Sequence, residues 1–412
     1  MDTSVSQIFI ARQPILDRKG QTYAYELLYR ETPENRFILI ELDEDLASRY
    51  VLVHSFLHFG LNRIAFGRRV FINFTANLLL SRVLFAFPPE RLVVELLETI
   101  QVSDSLLTVV REVREKGYSI ALDDFREDSA LRVFLPYADF VKIDFRETPP
   151  EEIERLVKEL GDTHRLVAEK VETQEEFEWA VSLGFRYFQG FYFARPQVLS
   201  SREMPVSKFH YFRLLKFLYG VGDQLEEIVQ IISSDAVLSL RLLKFINSAF
   251  FGLLAKVKSV KHAAVLLGIQ GLKKWASLIT LHILAADRPP ELVINSLVRA
   301  RFMELLAEKL GLREDGEEAF TVGLLSLLEA MLDQPMEEIV KDLPLEDSIK
   351  EALLDRPGPF TPLLRMVVAY ERGEWAALQE EARRAGLFDD SVLPRLYSEA
   401  LSFAHRVMST GL

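Results

Sequence analysis

The chain has 412 residues, of which 49% are hydrophobic and 27% charged; this excludes a disordered protein and predicts two domains. It contains no cysteine, which excludes disulfides and thiolate metal sites. With 61 acidic and 49 basic residues the net charge is −12, so the chain lacks the general attraction to phosphate backbones and no nucleic acid polymer is expected as a partner.

The hydrophobic runs argue against a membrane protein. The N-terminal segment MDTSVSQIFIARQP has no apolar core of signal-peptide length. Elsewhere, no run approaches the roughly 20 apolar residues that span a bilayer. We therefore expect a cytoplasmic protein with no membrane partner.

Residues up to about 200 alternate between short β-branched or aromatic runs and longer amphipathic stretches. This alternation predicts a mostly parallel sheet, and eight runs predict a TIM-like (β/α)8 barrel. The eight runs, in chain order, are FIARQPIL, YAYELLYR, VFINF, LVVELLE, SIALDD, FVKID, RLVAEKVE and YFQGFYFA.

The pattern changes after Arg195 and Pro196, where strand-like alternation ends. Residues 225–232, 239–246 and 301–310 have the apolar spacing of amphipathic helices, and proline pairs separate the helical stretches. The second half is therefore predicted to be all-α. We expect the first domain to cover residues 1–203 and the second to cover residues 204–412.

Acidic and polar side chains stand where the predicted strands end, and a barrel brings those strand ends to one mouth. So many carboxylates need cations nearby, and oxygen ligands without cysteine or histidine favour Mg²⁺, Mn²⁺ or Ca²⁺. Two such ions could activate a water for attack on a phosphodiester. The residues concerned are Glu26, Asn73, Glu95, Glu98, Asp123, Asp124, Lys142, Asp144, Glu169, Glu172 and Gln189.

A plainer interpretation holds for each of these residues alone. A single glutamate at a strand end is usually a solvated rim residue or a helix cap, and Asp123 with Asp124 could cap the next helix. The recurrence of such residues on successive strands favours the metal site.

These motifs, taken in order, resemble the EAL family of cyclic-di-GMP phosphodiesterases. YELLYR resembles the EAL signature, with Leu27 where the family has alanine, and FINF, VELLE, DDF, VKID, VAEKVET and FQGFYFARP resemble the other motifs. The resemblance implies signal transduction in a bacterium and hydrolysis of cyclic-di-GMP to the linear dinucleotide pGpG. It implies two ions, Mg²⁺ or Mn²⁺, held by Glu26, Asn73, Glu95 and Asp123 and by Asp123, Asp124 and Glu169.

The same resemblance implies roles for the remaining residues. Lys142, Glu169 and Glu172 are expected to be catalytic. Glu98 is expected to support the loop that follows Phe125. The expected substrate-binding residues are Arg30, Leu28, Gln189 and Asp144.

The sequence departs from the family in that loop. Active members follow DDF with Gly-Thr-Gly-Tyr-Ser, whereas residues 126–129 are Arg-Glu-Asp-Ser, so two glycines and their backbone freedom are lost. One hypothesis is therefore an active phosphodiesterase regulated by the helical half. The alternative is a catalytically inactive barrel that acts as a cyclic-di-GMP sensor or a scaffold.

The helical half resembles the HDOD domain, a relative of the HD-type phosphohydrolases without their metal site. The resemblance rests on IISSDAVLSLRLLKFINSAFFG and LLGIQGLKKW, with Asp235 near a helix start and Asn247 at a helix end. By itself, Asn247 with Ser248 could be no more than a helix stop. The resemblance implies an output domain that contacts a protein partner, and the EAL resemblance implies a homodimer through the barrel.

Overall fold

The structure is a computed structural model that describes residues 9–30, 64–191, 206–220, 224–248, 256–312, 315–387 and 389–409. The chain divides into two compact units. The first comprises Met1–Arg195, Val368–Arg383 and Leu387–Ser398, and the second comprises Pro196–Val367, Arg384–Gly386 and Glu399–Leu412. The domain boundary proposed between residues 203 and 204 stays a prediction.

Eight strands form a closed barrel in the order of the sequence, which confirms the predicted barrel. All pairs from β2 to β8 are parallel, but β1 is antiparallel to both of its neighbours, β2 and β8. The strands are β1 (Phe9–Asp17), β2 (Thr22–Arg30), β3 (Arg69–Phe74), β4 (Leu92–Leu96), β5 (Ser119–Leu122), β6 (Phe140–Asp144), β7 (Arg165–Glu169) and β8 (Tyr187–Gln189).

The reversed direction of β1 comes from the tight turn that joins it to β2. The Asp17 carboxylate accepts hydrogen bonds from the backbone N–H groups of Lys19, at 2.8 Å, and Gln21, at 2.9 Å. An aspartate that bonds the backbone two residues on is a recognised turn former, and only an antiparallel pair can be joined so closely. The barrel therefore begins with a hairpin, not with a βα unit.

Seven strands each contribute one side chain to an apolar layer inside the barrel. Because side chains alternate along a strand, residues two positions away also face inward and form the next layer. The apolar layer consists of Ile15, Ala24, Phe71, Val93, Ala121, Phe140 and Val167, with Tyr23 and Tyr187 packed against it.

The helices of the barrel follow the expected capping rules. In α2, Ser103 caps the first turn and Leu106, Val109, Val110 and Val113 form the buried stripe. In α4, a capping box links Thr173 and Glu176. The helices described between the strands are α1 (Ala76–Leu80), α2 (Asp104–Glu115), α3 (Pro150–Leu160) and α4 (Gln174–Leu183), with 3-10 helices at Val83–Ala86 and Ala130–Tyr137.

The described chain from residue 206 onward is helical, as predicted. Within these residues no helix is both long and apolar enough to cross a membrane. The helices are α5 (Val206–Gly220), α6 (Leu225–Ser234), α7 (Ala236–Ile246), α8 (Val260–Leu284), α9 (Pro290–Lys309), α10 (Gly316–Leu325), α11 (Leu328–Leu332), α12 (Met336–Asp342), α13 (Asp347–Leu353), α14 (Thr361–Arg372), α15 (Trp375–Arg384) and α16 (Leu393–Ser409), with a 3-10 turn at Asp390–Val392.

Asp235 and Asn247 mark the two ends of α7. The Asp235 side chain accepts hydrogen bonds from the N–H groups of Val237 and Leu238. The Asn247 amide does more than end the helix, since it also exchanges two hydrogen bonds with the backbone of Val257, at 2.7 and 2.8 Å. Asn247 thus connects the end of α7 to the segment that leads into α8.

Candidate active site

Seven of the polar residues singled out in the sequence form the layer directly above the apolar layer. Each of the seven lies two positions beyond an apolar-layer residue or Tyr187, so the period of the strand puts it inside the barrel. On the parallel strands or directly after them, these residues are Glu26, Asn73, Glu95, Asp123, Lys142, Glu169 and Gln189.

Because β1 runs the other way, its member of this polar layer lies two positions before Ile15, at Gln13. The register of the sheet pairs Gln13 with Glu26. Gln13 was not among the residues predicted from the sequence. Its spacing of two positions from Ile15 would have indicated an inward-facing side chain, but only the direction of β1 shows that this side chain lies in the polar layer.

Lys142 is at the centre of the layer, and its side chain is 1% exposed. Its ammonium lies 3.2 Å from the Glu26 carboxylate, 2.9 Å from Asp123 and 2.7 Å from Glu169, and it also contacts Glu95. One positive charge therefore faces four carboxylates. The site carries an excess of negative charge that a cation would relieve.

Burial and mutual repulsion perturb these groups in the expected directions. Burial raises the pKa of Glu95 and of Glu169 well above the usual value, with further increases from neighbouring carboxylates and a partial offset from Lys142. Burial alone would lower the pKa of Lys142, but the surrounding carboxylates, Asp123 first, raise it well above its usual value. The surrounding carboxylates therefore favour the ammonium form of Lys142, which is a hydrogen-bond donor.

Asp124 lies at the edge of the same layer, in a left-handed backbone conformation with φ 41°. Burial and then the charge of Asp123 raise the pKa of Asp124 to about 6. Carboxylate oxygens of Glu98, Asp123 and Asp124 all lie within 4.8 Å of one another, which is close enough to share a metal ion. Glu98 thus stands among candidate metal ligands, and its proposed loop-supporting role stays a prediction.

Several buried oxygens in the layer are suited to a hard cation. Glu95 Oε2, Asn73 Oδ1 and Glu169 Oε2 accept no hydrogen bond from the described residues. A buried oxygen without a partner is costly, and carboxylate and amide oxygens are the ligands that Mg²⁺, Mn²⁺ and Ca²⁺ prefer. These residues therefore fit the metal ions that the sequence motifs imply.

The Gln189 side chain holds Glu26 in place. The Gln189 amide donates to Glu26 Oε2 at 2.6 Å and to Gln13 Oε1 at 3.0 Å.

The end of β8 approaches the chain after β7 so closely that a Cβ at Gly190 would lie 1.9 Å from the carbonyl oxygen of Val171. Only glycine permits this approach and its φ of 146°.

A cavity of about 510 Å³ opens above the polar layer. Glu95 and Lys142 are not among its lining residues, because they lie beneath its floor with exposures of 0% and 1%. The predicted residues that line it are Glu26, Leu28, Asn73, Asp123, Asp124, Glu169, Glu172 and Gln189, and the lining residues that sequence reasoning missed include Gln13, Lys170, Phe191, Arg372 and Glu374.

The remaining predicted residues have different surroundings. Asp144 is buried and accepts hydrogen bonds from the N–H groups of Arg146, at 2.6 Å, and Glu147, at 3.0 Å, while pairing with Lys170. It supports the turn after β6. Glu172 pairs with Arg146 at 2.6 Å. Arg30 ends β2, and its side chain lies outside the described residues. The substrate-binding roles of Asp144 and Arg30 stay predictions.

The altered loop at residues 126–129 is anchored to α3. Arg126 makes a bidentate ion pair with Glu152, with distances of 3.0 and 2.9 Å, and Glu152 also accepts from the N–H group of Glu127 at 3.0 Å. Glu127 pairs with Arg155 at 2.7 Å, and Ser129 caps the following 3-10 helix. Paired charges thus hold a loop that in active family members contains glycines.

Comparisons with known proteins agree with the two-part organisation. The EAL domain matches residues 4–196, and the HDOD domain matches residues 205–340. The uncharacterized protein YuxH of Bacillus subtilis is 34% identical over 411 residues, covering 98% of this chain and 99% of its own. The cyclic di-GMP phosphodiesterase CdgJ of Vibrio cholerae is 35% identical over 383 residues, covering 92% of this chain and 88% of its own.

Among solved structures, a calcium and cyclic-di-GMP complex of Klebsiella pneumoniae BlrP1 is 26% identical. It matches with a TM-score of 0.39 over 46% of this chain and 56% of its own. YuxH and CdgJ match almost the entire chain, in which the EAL match precedes the HDOD match. The chain belongs to the family in which an EAL domain is followed by an HDOD domain.

Proposed function

We propose that the barrel binds cyclic-di-GMP in the cavity above Lys142 and hydrolyses it to pGpG. The observation that carries this proposal is the polar layer itself, in which four carboxylates surround one buried ammonium beneath the floor of a cavity of about 510 Å³. That arrangement suits cations and a phosphodiester better than any uncharged ligand. Support also comes from the similarity to CdgJ, which is named as a cyclic-di-GMP phosphodiesterase.

Two divalent ions, Mg²⁺ or Mn²⁺, are the proposed cofactors. Glu26, Asn73, Glu95 and Asp123 would hold one ion, and Asp123, Asp124 and Glu169 would hold the other, with Glu98 as a further candidate. When bound, such ions lower the pKa of a water molecule and offset the negative charge of a phosphodiester under attack.

The chain's own groups have separate tasks in the proposed reaction. Lys142, as an ammonium, donates hydrogen bonds to oxygens that gain negative charge. Gln189 donates to Glu26 and holds it in position, and Gln13 accepts from Gln189. Glu169 and Glu172 line the cavity and are the proposed proton-handling groups.

The alternative proposal is a barrel that binds cyclic-di-GMP without turning it over. The anchored 126–129 loop favours it, because the ion pairs to α3 hold this loop in a shape that the glycine-containing loop of active members need not share.

One experiment separates the two proposals. The full chain is incubated with cyclic-di-GMP and either Mg²⁺ or Mn²⁺, and pGpG is followed by chromatography; binding is measured by calorimetry. Turnover that disappears in Glu26→Ala establishes the enzyme. Binding without turnover establishes the sensor or scaffold. Absence of both overturns the two proposals together.

For the second half, we propose that the HDOD domain contacts a protein partner and passes on the state of the barrel. Its partner, a homodimer through the barrel and a cytoplasmic location remain predictions. Sedimentation of the pure chain over a range of concentrations tests the homodimer.

A further inference from the structure

A short turn outside both matched domains lines the cavity. The EAL and HDOD matches end at residues 196 and 340, yet Arg372 and Glu374 are among the lining residues. They belong to Val368–Arg383, which is part of the same compact unit as the barrel. We infer that Arg372 binds a phosphate group of the cyclic dinucleotide, an inference that rests on the proposed function.

Three contacts hold the turn against the mouth of the barrel. The Gln13 side-chain amide donates to the carbonyl oxygen of Arg372 at 3.2 Å. The Arg372 guanidinium lies 4.8 Å from the centre of the Phe191 ring. Gly373 approaches Leu28 so closely that a Cβ at Gly373 would lie 3.1 Å from Leu28 Cδ1. Gln13, Phe191 and Leu28 all line the cavity, so the turn is built into its wall.

The backbone of the turn is well supported. Gly373 follows the last residue of α14 with φ 69° and donates to the carbonyl oxygen of Tyr370 at 3.1 Å. The Glu374 N–H group donates to Ala369 at 2.9 Å. The Tyr370 ring packs edge-on against Trp375, with centroids 5.6 Å apart. The position of Arg372 is therefore fixed by packing on both sides of the turn.

Among the described charged residues that line the cavity, Arg372 is the cation available to bind an anionic ligand. Most charged residues in the described lining are carboxylates, and the cations are Lys170 and Arg372. Lys170 is paired with Asp144. Arg372 is 40% exposed and lies 3.6 Å from Glu374, which is a loose contact that leaves guanidinium donors available.

A cyclic dinucleotide carries two phosphodiester groups, each with one negative charge. The carboxylate layer and its cations would take the phosphodiester under attack. The other one still needs a positive partner, because the remaining lining would repel it. A guanidinium matches two phosphate oxygens at once, and stacking on Phe191 orients it while leaving its edge free to donate.

The test compares Arg372→Ala with a matched control, Arg383→Ala. Arg383 is an exposed arginine on the next helix, and it does not line the cavity. Both changes remove one positive charge, so a general electrostatic effect would appear in both. Arg372→Lys, which keeps the charge but loses the planar fork, is the third variant. Thermal melting of each variant checks that it is folded.

Cyclic-di-GMP binding to the full chain is measured by calorimetry with Ca²⁺ present. We expect Arg372→Ala to weaken binding by about tenfold or more, Arg372→Lys to weaken it less and Arg383→Ala to leave it unchanged. The loss should shrink in high salt. Equal affinity in wild type and Arg372→Ala, or an equal loss in Arg383→Ala, overturns the inference while leaving the proposed function in place. No binding by the wild type overturns both.

Discussion

The Gln13 amide donates a hydrogen bond to the carbonyl oxygen of Arg372 across 359 positions of the chain. Gln13 in turn accepts from Gln189, which also donates to the candidate metal ligand Glu26. A continuous set of hydrogen bonds therefore connects the polar layer of the barrel to a turn near residue 372. Substitutions at either end of this set of hydrogen bonds should therefore change the affinity for the ligand.

Replacement of Gln13 by alanine should weaken ligand binding while preserving the fold. The substitution leaves the Arg372 carbonyl without this partner and gives Gln189 one contact fewer, at a cost of about 1 kcal/mol, or several-fold in affinity. Calorimetry with cyclic-di-GMP and Ca²⁺ measures the effect. Gln21→Ala, at an exposed position in the β1–β2 turn, is the control. Unchanged affinity in Gln13→Ala would show that the connection carries no binding energy.

Replacement of Lys142 by methionine should destabilise the metal-free protein strongly. Four buried or partly buried carboxylates would lose their shared ammonium, and breaking a buried ion pair in this way typically costs about 3–5 kcal/mol. Because added cations relieve the same repulsion, Mn²⁺ should restore more stability to the variant than it adds to the wild type.

Denaturant unfolding with and without Mn²⁺ measures both quantities for Lys142→Met. Lys158→Met, on the exposed face of α3, is the matched control and should change stability little. If Mn²⁺ stabilised both proteins equally, the metal would have to bind away from the Lys142 carboxylates.

The raised pKa of Asp124 predicts a pH-dependent stability. In the folded metal-free protein the pKa is about 6, against a usual 3.8, so the folded state binds the proton more tightly than the unfolded state. Stability therefore decreases as pH rises from about 4 to 6, and the decrease is complete above that range. Glu95 and Glu169, whose pKa values are also raised, act in the same direction.

Asp124→Asn removes this titration, and asparagine tolerates the φ of 41° at this position. The variant should be more stable than the wild type at pH 7.5 and nearly equal to it at pH 4, when both are metal-free. Unfolding in urea at the two values measures the difference. A stability gain of the same size at both values would mean that the Asp124 carboxylate does not ionise in this range.

Because the 126–129 loop is anchored to α3, we expect that weakening this anchor affects turnover of cyclic-di-GMP but not its binding. Glu152→Gln replaces the charged partner of Arg126 and should cost about 1 kcal/mol of stability, since the pair is bidentate but partly exposed. If the loop positions Asp124, kcat should fall while the affinity for cyclic-di-GMP in Ca²⁺ changes little.

The control for Glu152→Gln is Glu159→Gln. Glu159 is on the same helix as Glu152, α3, and forms an exposed ion pair with Arg132 that this substitution removes. We expect it to leave both kcat and affinity unchanged. If the two variants hydrolysed cyclic-di-GMP at equal rates, the anchored loop would have no role in catalysis.

Much of the fold and most of the site could be predicted from local patterns. Apolar alternation marked all eight strands, and the change after Pro196 marked the helical half. The polar layer was visible as well, because side chains repeat every two residues and each strand carried its polar residue just beyond an apolar one. Glu26, Asp123 and Glu169 were found in this way, by position on a strand and by charge.

Other features depend on contacts between distant segments. The direction of β1 brought Gln13 into the polar layer, although the local pattern of this strand suits either direction. The structure also adds that Asp144 supports a turn and that Glu95 is fully buried beneath the cavity floor, while the predicted substrate-binding role of Asp144 and the predicted metal-binding role of Glu95 stay predictions. The depth of a side chain below the cavity depends on how neighbouring strands are staggered, and the periodicity of a single strand carries no information about this stagger.

The sequence by itself determined the strands, the helices and the residue types available for metal and phosphate chemistry, because these follow from periodicity and side-chain chemistry within a few positions. Only the tertiary structure decided that Lys142 faces four carboxylates, that α3 anchors the loop after Phe125 and that Arg372 lines the cavity. These are contacts between segments up to 359 positions apart, and they exist only once the chain has closed on itself.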